Sequence, residues 1–400
     1  MSSTPYRWIP VPNGSWRRWG TSRTRADMSL HDSIGRMRSS TIVVDARRLG
    51  EGSAYRGIGT YLRNLLAALV DVDGIEVEAL ATPGTALPEG VTRVPLHRWA
   101  RGRLLTLEHD LRLPGDLRRS GAAVAHSPAL DPPRRSPVPW VQTVHDLIPL
   151  AFDDPELDIE RQRWRRYGPR LLRAAAVVTP SQHSADQAVA ALGLDPARMH
   201  VIAHGVEPRY RPHDDGRHAD RPYVLYVGAW GPHKGYAEAM AAVAALAESG
   251  HPHRLVIAGR QDDWMRAQVQ RVLDRAPRPD LVDVTGFVED LPALYRGAAA
   301  LVVTSRHEGF GLPALEAMAC GTPVVAFANT AVPEVVGDGG TVVADGDVTA
   351  LARAVGAIID DDDVRRSHVE RGLRRAAQFS WRRSAAEHAE VYLAAQSTSV

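Results

Sequence analysis

Short apolar runs recur along the chain from Thr41 onward, separated by longer stretches in which leucine and alanine return every three or four residues. Thr41-Ile42-Val43-Val44-Asp45 is the first run, and others fall at 77–81, 122–126, 138–144, 176–179 and 200–203. Runs this short, without polar alternation, read as strands covered on both faces, as in a parallel sheet. Helices are expected in the segment opening Gly57-Ile58-Gly59-Thr60-Tyr61-Leu62 and near 103–120, 158–174 and 181–192. The polar stretch His204–Asp220, with Pro208, Pro212 and Gly216, reads as a linker. A second series follows, with strands at 223–228, 254–258, 282–286, 299–304, 323–327 and 341–344. Its helices lie near 235–249, 263–276, 313–320 and 347–359, and a last helix spans 381–397 from Ser380-Trp381. Strand–helix alternation of this kind predicts two doubly wound α/β domains, at 39–207 and 208–380, with a ligand cleft at the carboxyl ends of their strands.

Residues 1–38 break the pattern. They mix Pro, Ser and Arg with Trp8, Trp16 and Trp19 and show no steady period. They read as an extension, either a disordered tail or a misplaced start, with Met28 and Met37 as alternative first residues.

Composition narrows the class. At ~150 residues per domain, 400 residues suit two or three domains, and 44% hydrophobic content can fill two cores. A formal charge of +1 gives no global pull towards nucleic acid. One cysteine, Cys320, excludes an intramolecular disulfide framework and a multi-cysteine zinc site. No apolar run approaches the ~20 residues of a membrane span, and no secretory signal is visible. A cytoplasmic protein is the expectation, with peripheral contact at the inner face of the membrane left open. Two arginine-rich stretches bear on that option. They are Arg98–Arg119 and Arg161–Arg173, carrying Trp99, Leu104, Leu105, Trp164, Tyr167, Leu171 and Leu172. Each reads as a solvated helix face, or as a surface for anionic lipid or an anionic acceptor.

Of 48 basic residues, 47 are arginine. The single lysine, Lys234, stands in Gly228-Ala229-Trp230-Gly231-Pro232-His233-Lys234-Gly235, between a strand and a helix. A site that keeps lysine in an arginine background suits a compact point charge, as a phosphate contact needs. The richest segment is 299–326. An apolar strand leads into Ser305-Arg306-His307-Glu308-Gly309-Phe310-Gly311-Leu312, and Pro313 suits the first helical position. Gly309 and Gly311 allow the backbone to come close to a ligand. The free N–H groups of the helix start favour an anion. Glu308 and Glu316 flank that anion site, and carboxylates there suit hydroxyls rather than phosphate. A sugar on one side and a ribose on the other fit a nucleotide-sugar.

The run Glu308-Gly309-Phe310-Gly311-Leu312-Pro313-x-x-Glu316-Ala317-Met318-Ala319-Cys320-Gly321-Thr322-Pro323-Val324-Val325 resembles the signature of the retaining glycosyltransferases of family 4. The resemblance implies the GT-B fold, with the terminal helix 381–397 crossing back onto the first domain. It assigns Glu308 to donor-sugar hydroxyls and Glu316 to the ribose diol. The Gly228–Gly235 loop resembles the family's phosphate segment. Where the family commonly places an arginine soon after the glycine, this chain has Ala229 and Trp230, and Arg260 is the candidate substitute. Gly57 and Gly59 resemble the loop that approaches the donor diphosphate from the first domain, and His145 in Val144-His145-Asp146-Leu147 matches the cleft histidine. Asp146 would orient His145 or cap the next turn. Ser181 reads as a helix N-cap, and Gly205 as a turn at the domain junction. Gly286, Phe287 and Val288 would contact the base through their backbone.

No metal-binding carboxylate motif and no cofactor are expected, the nucleotide-sugar being a substrate. The implied activity is metal-independent, retaining hexosyl transfer by front-face attack, from GDP-mannose or a UDP-sugar to a glycan, lipid-linked or natural-product acceptor. Arg56-Gly57-Ile58-Gly59 and Pro232-His233-Lys234 are similar to polysaccharide mannosyltransferases of the family. A GT-B epimerase or phosphorylase, or a non-catalytic nucleotide-sugar-binding protein, are the alternatives.

Overall fold

The computed structural model of the chain describes residues 7–10, 16–19, 40–50, 57–96, 104–130, 132–213 and 222–397. Arg7–Pro10 (β1) and Trp16–Trp19 (β2) pair antiparallel, with Trp8 opposite Arg18. They belong to a separate unit that ends at Ser39. Four-residue strands are too short to show a period, and no strand was expected in this stretch from the sequence.

From Ser40 the order is β3 (Ser40–Asp45), α1 (Gly57–Leu69), β4 (Ile75–Ala81), β5 (Thr92–Pro95), α2 (Leu104–Ser120), β6 (Val124–Ser127) and β7 (Trp140–Thr143). Then come α3 (Ile148–Ala151), α4 (Asp158–Tyr167), β8 (Ala176–Thr179), α5 (Gln182–Leu192) and β9 (Met199–Val201). The strands form one parallel sheet in the order β5-β4-β3-β6-β7-β8-β9. Every residue of β6, β7 and β8 is buried. Helices cover both faces of these strands, which explains why they read as unbroken apolar runs.

The second lobe runs β10 (Tyr223–Val227), α6 (Tyr236–Glu248), β11 (Arg254–Ala258), α7 (Asp263–Leu273), β12 (Val282–Gly286), α8 (Leu291–Gly297) and β13 (Ala300–Val303). It continues with α9 (Leu312–Ala319), β14 (Val324–Phe327), α10 (Val332–Val336), β15 (Thr341–Val343), α11 (Val348–Asp360) and α12 (Asp362–Ala376). Its parallel sheet has the order β12-β11-β10-β13-β14-β15. In both sheets the chain lays strands to one side of its first strand and then to the other. The order therefore reverses between β3 and β6, and between β10 and β13. Loops on either side of such a reversal diverge and open a crevice.

The last helix, α13 (Trp381–Ser397), returns to the first lobe, as the sequence implied. Trp381, Ala385, Ala389, Tyr392 and Ala395 form one stripe at helical spacing. They share a core with Leu62, Leu65 and Leu66 of α1 and Ile42 and Val44 of β3. Gly205 is glycine for a reason other than the expected turn. Its backbone is not left-handed, but a Cβ there would lie 2.1 Å from the Trp381 nitrogen, so only glycine lets the junction meet the start of α13. The sequence reading also missed α8, α10 and α12. The buried stripe of α12 is His368, Gly372 and Ala376, which carries no apolar period, although Asp361 caps it through the N–H groups of Asp363 and Val364.

Candidate active site

Lys234 rises from the loop after β10 and Glu308 from the loop after β13, the two strands that flank the second lobe's reversal. The Lys234 ammonium donates to Glu308 Oε1 at 2.6 Å. The backbone holds the two loops together. Arg306 N–H donates to the His233 carbonyl at 2.7 Å, and the Thr304 hydroxyl to the Gly235 carbonyl at 2.7 Å. Tyr226 donates to the Lys234 carbonyl at 2.8 Å. Gly235 has φ +63°, and a Cβ would sit 1.9 Å from the Thr304 carbonyl oxygen, so the lysine loop can reach the β13 loop only through glycine. Thr330, after β14, is the one non-glycine residue with positive φ (48°) among the described residues. Its hydroxyl accepts from Glu308 N–H at 3.0 Å. A β-branched residue in this conformation is strained, and such strain gathers at functional sites.

Burial alone would push the Glu308 carboxyl up. The Lys234 ammonium, with help from Ser305 and His233, outweighs it and holds Glu308 below the usual carboxylate value. His233 is pushed down to about 3, first by burial and then by the neighbouring lysine. The Lys234–Glu308 pair thus stands beside a neutral His233.

The first lobe closes directly onto this loop. A Cβ on Gly309 would lie 2.0 Å from the His145 carbonyl oxygen. The sequence reading took Gly309 as an opening for a ligand, and here it admits the other lobe's backbone. The Ser181 hydroxyl donates to the Gly309 carbonyl at 2.8 Å. That of Ser184 lies 3.2 Å from the same oxygen and 3.3 Å from the His145 carbonyl oxygen. Ser181 also caps α5 by accepting from Ser184 N–H, as expected. Glu334 of α10 supplies a second cap from across the cleft, accepting from Gln182 and His183 N–H at 2.8 Å each. A carboxylate there meets the positive end of α5. Trp230 Nε1–H donates to Glu156 at 3.1 Å, a further bond between the lobes.

His145 is neutral, pushed down to about 4 by burial despite its bond to the Pro128 carbonyl. That bond, at 3.0 Å, uses Nε2 as donor and leaves Nδ1 as an acceptor. Asp146 takes the capping alternative, accepting from Ile148 N–H at 3.0 Å. Gly57 and Gly59 begin α1, Gly59 being buried; Arg56 lies outside the described residues.

Other candidates sit apart from the ion pair. Glu316 accepts from the Tyr295 hydroxyl at 2.9 Å and also bonds Tyr210, and burial pushes it up to about 7. These two tyrosines, rather than Lys234 or Glu308, are its partners. The Phe310 side chain is buried, with ring centroids 4.8 Å from His204 and 5.9 Å from Phe379. Its side chain belongs to the core, which leaves its backbone for any donor contact. Leu312 and Val288 pack on the same core. Gly311, at φ +106°, is the N-cap of α9 and leaves the helix start without a side-chain cap. Arg260, Gly286 and Phe287 line a separate cavity of about 620 Å3 with Gln261, Arg266, Val284 and Thr285. Phe287 is 63% exposed there. Both amide atoms of Gln261 are buried without a hydrogen-bond partner, and buried polar groups seldom stay unpaired.

The arginine-rich stretch 161–173 turns Trp164, Tyr167 and Leu171 inward and leaves Leu172 exposed. Trp164 and Leu171 are core and Tyr167 is buried. Arg161 bonds the Pro149 and Phe152 carbonyls, and Arg170 pairs with Asp110. Arg98 and Trp99 lie outside the described residues, as do the side chains of Leu104 and Leu105. Among the described residues no three His, Cys, Asp or Glu side chains are placed to hold a metal ion, and no helix is long and apolar enough to cross a membrane. The sequence reading missed Thr330, Glu334, Tyr210, Tyr295 and Gln261. Tyrosine and glutamine carry no local signal of this kind, whereas Thr330 and Glu334 follow a strand end, the position where ligands gather.

Two doubly wound domains closed on one another, with a terminal helix returned to the first, define the GT-B class of glycosyltransferase. The family model "Glycosyltransferase Family 4" matches residues 55–210 and "Glycosyl transferases group 1" matches 212–375. D-inositol 3-phosphate glycosyltransferase 2 of Catenulispora acidiphila is 31% identical over 86% of this chain and 91% of its own length. The chain belongs to glycosyltransferase family 4. O-antigen chain mannosyltransferase B of Escherichia coli is 39% identical over 40% of this chain and 42% of that protein. MMP alpha-(1->4)-mannosyltransferase of Mycolicibacterium hassiacum is 30% identical over 64% and 65%. These two matches span less than two thirds of either relative. Among solved structures, sucrose-phosphate synthase of Thermosynechococcus elongatus has a TM-score of 0.75 at 22% identity, covering 90% of this chain and 100% of that one. Anabaena HepE in complex with UDP and glucose has 0.66 at 19%, with the same coverage. At these identities the likeness is one of fold.

Proposed function

We propose that the chain is a retaining, metal-independent hexosyltransferase that uses a nucleotide-sugar, GDP-mannose or a UDP-sugar. The observation that carries this reading is the Lys234–Glu308 pair at the second lobe's strand reversal, beside the uncapped start of α9. In the resting pair the ammonium holds Glu308 ionised. The donor diphosphate takes Glu308's place at Lys234 and meets the N–H groups of α9, and the released carboxylate accepts from sugar hydroxyls. Glu316, poised to titrate near neutrality, exchanges its tyrosine bonds for the ribose diol. The base enters the cavity at Phe287, where the Gln261 amide offers one donor and one acceptor to its edge. Gly57 and Gly59 at the start of α1 face the diphosphate from the first lobe, and Arg260 sits nearer the base than the phosphates.

Charge develops on the leaving diphosphate where the ammonium and helix amides already point, so stabilising it requires no reorganisation. The bond from the anomeric carbon to the phosphate oxygen breaks, the acceptor oxygen bonds on the same face, and its proton passes to the departing phosphate oxygen. His145 accepts from a donor or acceptor hydroxyl through Nδ1. The acceptor is a glycan, a lipid-linked sugar or a natural product. The mannosyltransferases among the relatives favour GDP-mannose as donor.

A thermal-shift series with UDP, GDP, TDP and their sugars tests the reading, because a ligand bound to the folded state raises its melting temperature. One base should stand out. No shift with any of them sinks the proposal. Turnover of the sugar-nucleotide to an epimer without acceptor assigns the epimerase chemistry instead. Activity lost in EDTA and restored by Mg²⁺ rules out the metal-free route.

A further inference from the structure

Behind His145, five polar side chains form a buried line. Tyr61, His126, Thr143, His388 and Tyr392 are each at most 3% exposed. They come from α1, β6, β7 and, for the last two, α13. Tyr392 Oη lies 2.8 Å from His126 Nδ1, and His126 Nε2 lies 2.8 Å from Thr143 Oγ1. Thr143 Oγ1 is 3.1 Å from Tyr61 Oη, which is 2.8 Å from His388 Nε2. His388 Nδ1 ends the line 2.7 Å from the Ser384 carbonyl oxygen.

One fact sets every proton in this line. A carbonyl only accepts, so His388 carries its proton on Nδ1. Burial keeps His388 neutral, pushed down to about 4, so its Nε2 is an acceptor. Tyr61 must then donate to it. The Tyr61 oxygen accepts from the Thr143 hydroxyl, whose own oxygen accepts from His126 Nε2–H. Burial, joined by His388 and His145, holds His126 well below its ordinary value, so it is neutral too. Its Nδ1 accepts from Tyr392. Every hydrogen bond points the same way, from Tyr392 to Ser384, and all five side chains are satisfied.

The Tyr61 ring stands edge-on to His145, with centroids 4.8 Å apart at 82°. An apolar core could pack α13 against α1 without any of these polar groups. A fully satisfied polar line does something more: it allows one rotamer and one tautomer at each member. We propose that Tyr61 is a positioning residue for His145, locked by this one-way relay so that the returning helix sets the placement of the cleft histidine.

The positioning role rests on the reading of His145 as a cleft residue; the relay itself does not. The test uses the full chain with ring-labelled histidine and nuclear magnetic resonance, compared with Tyr61→Phe, which keeps the ring and removes the hydroxyl. The expected tautomers are Nδ1–H for His388 and Nε2–H for His126 and His145. Tyr61→Phe should shift the His145 signals. It should lower kcat for hydrolysis of GDP-mannose or UDP-glucose about tenfold, well below the melting temperature, with nucleotide affinity unchanged. His388→Gln, which keeps an acceptor for Tyr61, should restore most of what a His388→Leu change loses, and it decides the matter if Tyr61→Phe fails to fold. A different tautomer at His388 or His126 overturns the relay. Unmoved His145 signals in Tyr61→Phe, or a fall in stability with kcat intact, overturn the positioning role. If no donor binds the wild type, the proposed function fails while the resonance signals still decide the relay.

Discussion

The two lobes share a topology and differ in what the loops beyond their strands bring to the cleft. The second lobe places an ion pair on two loops stitched by backbone hydrogen bonds. The first lobe brings up a neutral histidine backed by a buried line of hydroxyls and imidazoles. One lobe is therefore built around charge that a ligand can exchange, and the other around orientation that nothing should disturb. The fold supplies two equivalent crevices. The chemistry of each depends on what stands on its loops and on what supports them from behind.

Closing the lobes joins the two halves, so the harshest way to break the comparison is to prevent closure. Gly309→Ala puts a Cβ into the His145 carbonyl. We expect donor turnover to fall by two orders of magnitude or more (~10²-fold per ångström of misplacement), with small-angle scattering reporting a more open molecule. An unchanged radius with unchanged turnover would show that closure plays no part. Lys234→Ala acts on the second lobe alone. Turnover should fall by about 10²–10³-fold through loss of leaving-group stabilisation, while Glu308→Ala mainly weakens donor affinity. Steady-state kinetics and titration with the nucleoside diphosphate separate these effects, and near-normal values for both variants would refute the site.

Acid should weaken both lobes, the second through His233 and His307 and the first through His145 and His388. His145 and His388 sit at about 4 in the fold against an ordinary 6.5. Below about pH 6.5 the unfolded chain binds protons that the folded chain refuses, so stability falls as pH drops towards 4. Each of the two contributes at most about 3.5 kcal/mol to that loss, at ~1.4 kcal/mol per pKa unit. Glu316 has the opposite sign: raised from 4.5 to about 7, it is protonated more readily in the fold, and it offsets part of the loss between pH 7 and 4.5. Melting curves against pH give the sum, and hydrogen exchange shows which lobe opens first. Stability that holds constant between about pH 6.5 and 5 would show that these histidines are not buried as neutral groups in solution. The smallest effect is at Glu334. Its change to Ala removes a cap on α5 worth ~1 kcal/mol, read as a small drop in melting temperature, and the same drop in Glu334→Gln would show that charge rather than hydrogen bonding matters.

Much of the fold was legible because its signals are local. Parallel strands covered on both faces write themselves as apolar runs, and an N-cap such as Ser181 announces a helix within four residues. Lys234 stood out against 47 arginines, and Glu308 and Glu316 against a glycine-rich loop. Tyr61 and His388 are 327 positions apart, and Gln182 and Glu334 are 152 apart, so no window along the chain contains either pair. Gly309 shows the division within one residue. Its loop and the helix that follows were set by neighbours in sequence, through glycine's freedom and the capping of α9. Its meeting with the His145 carbonyl was decided by closure of two separately built lobes, because contacts between distant segments follow from packing and leave no period to read.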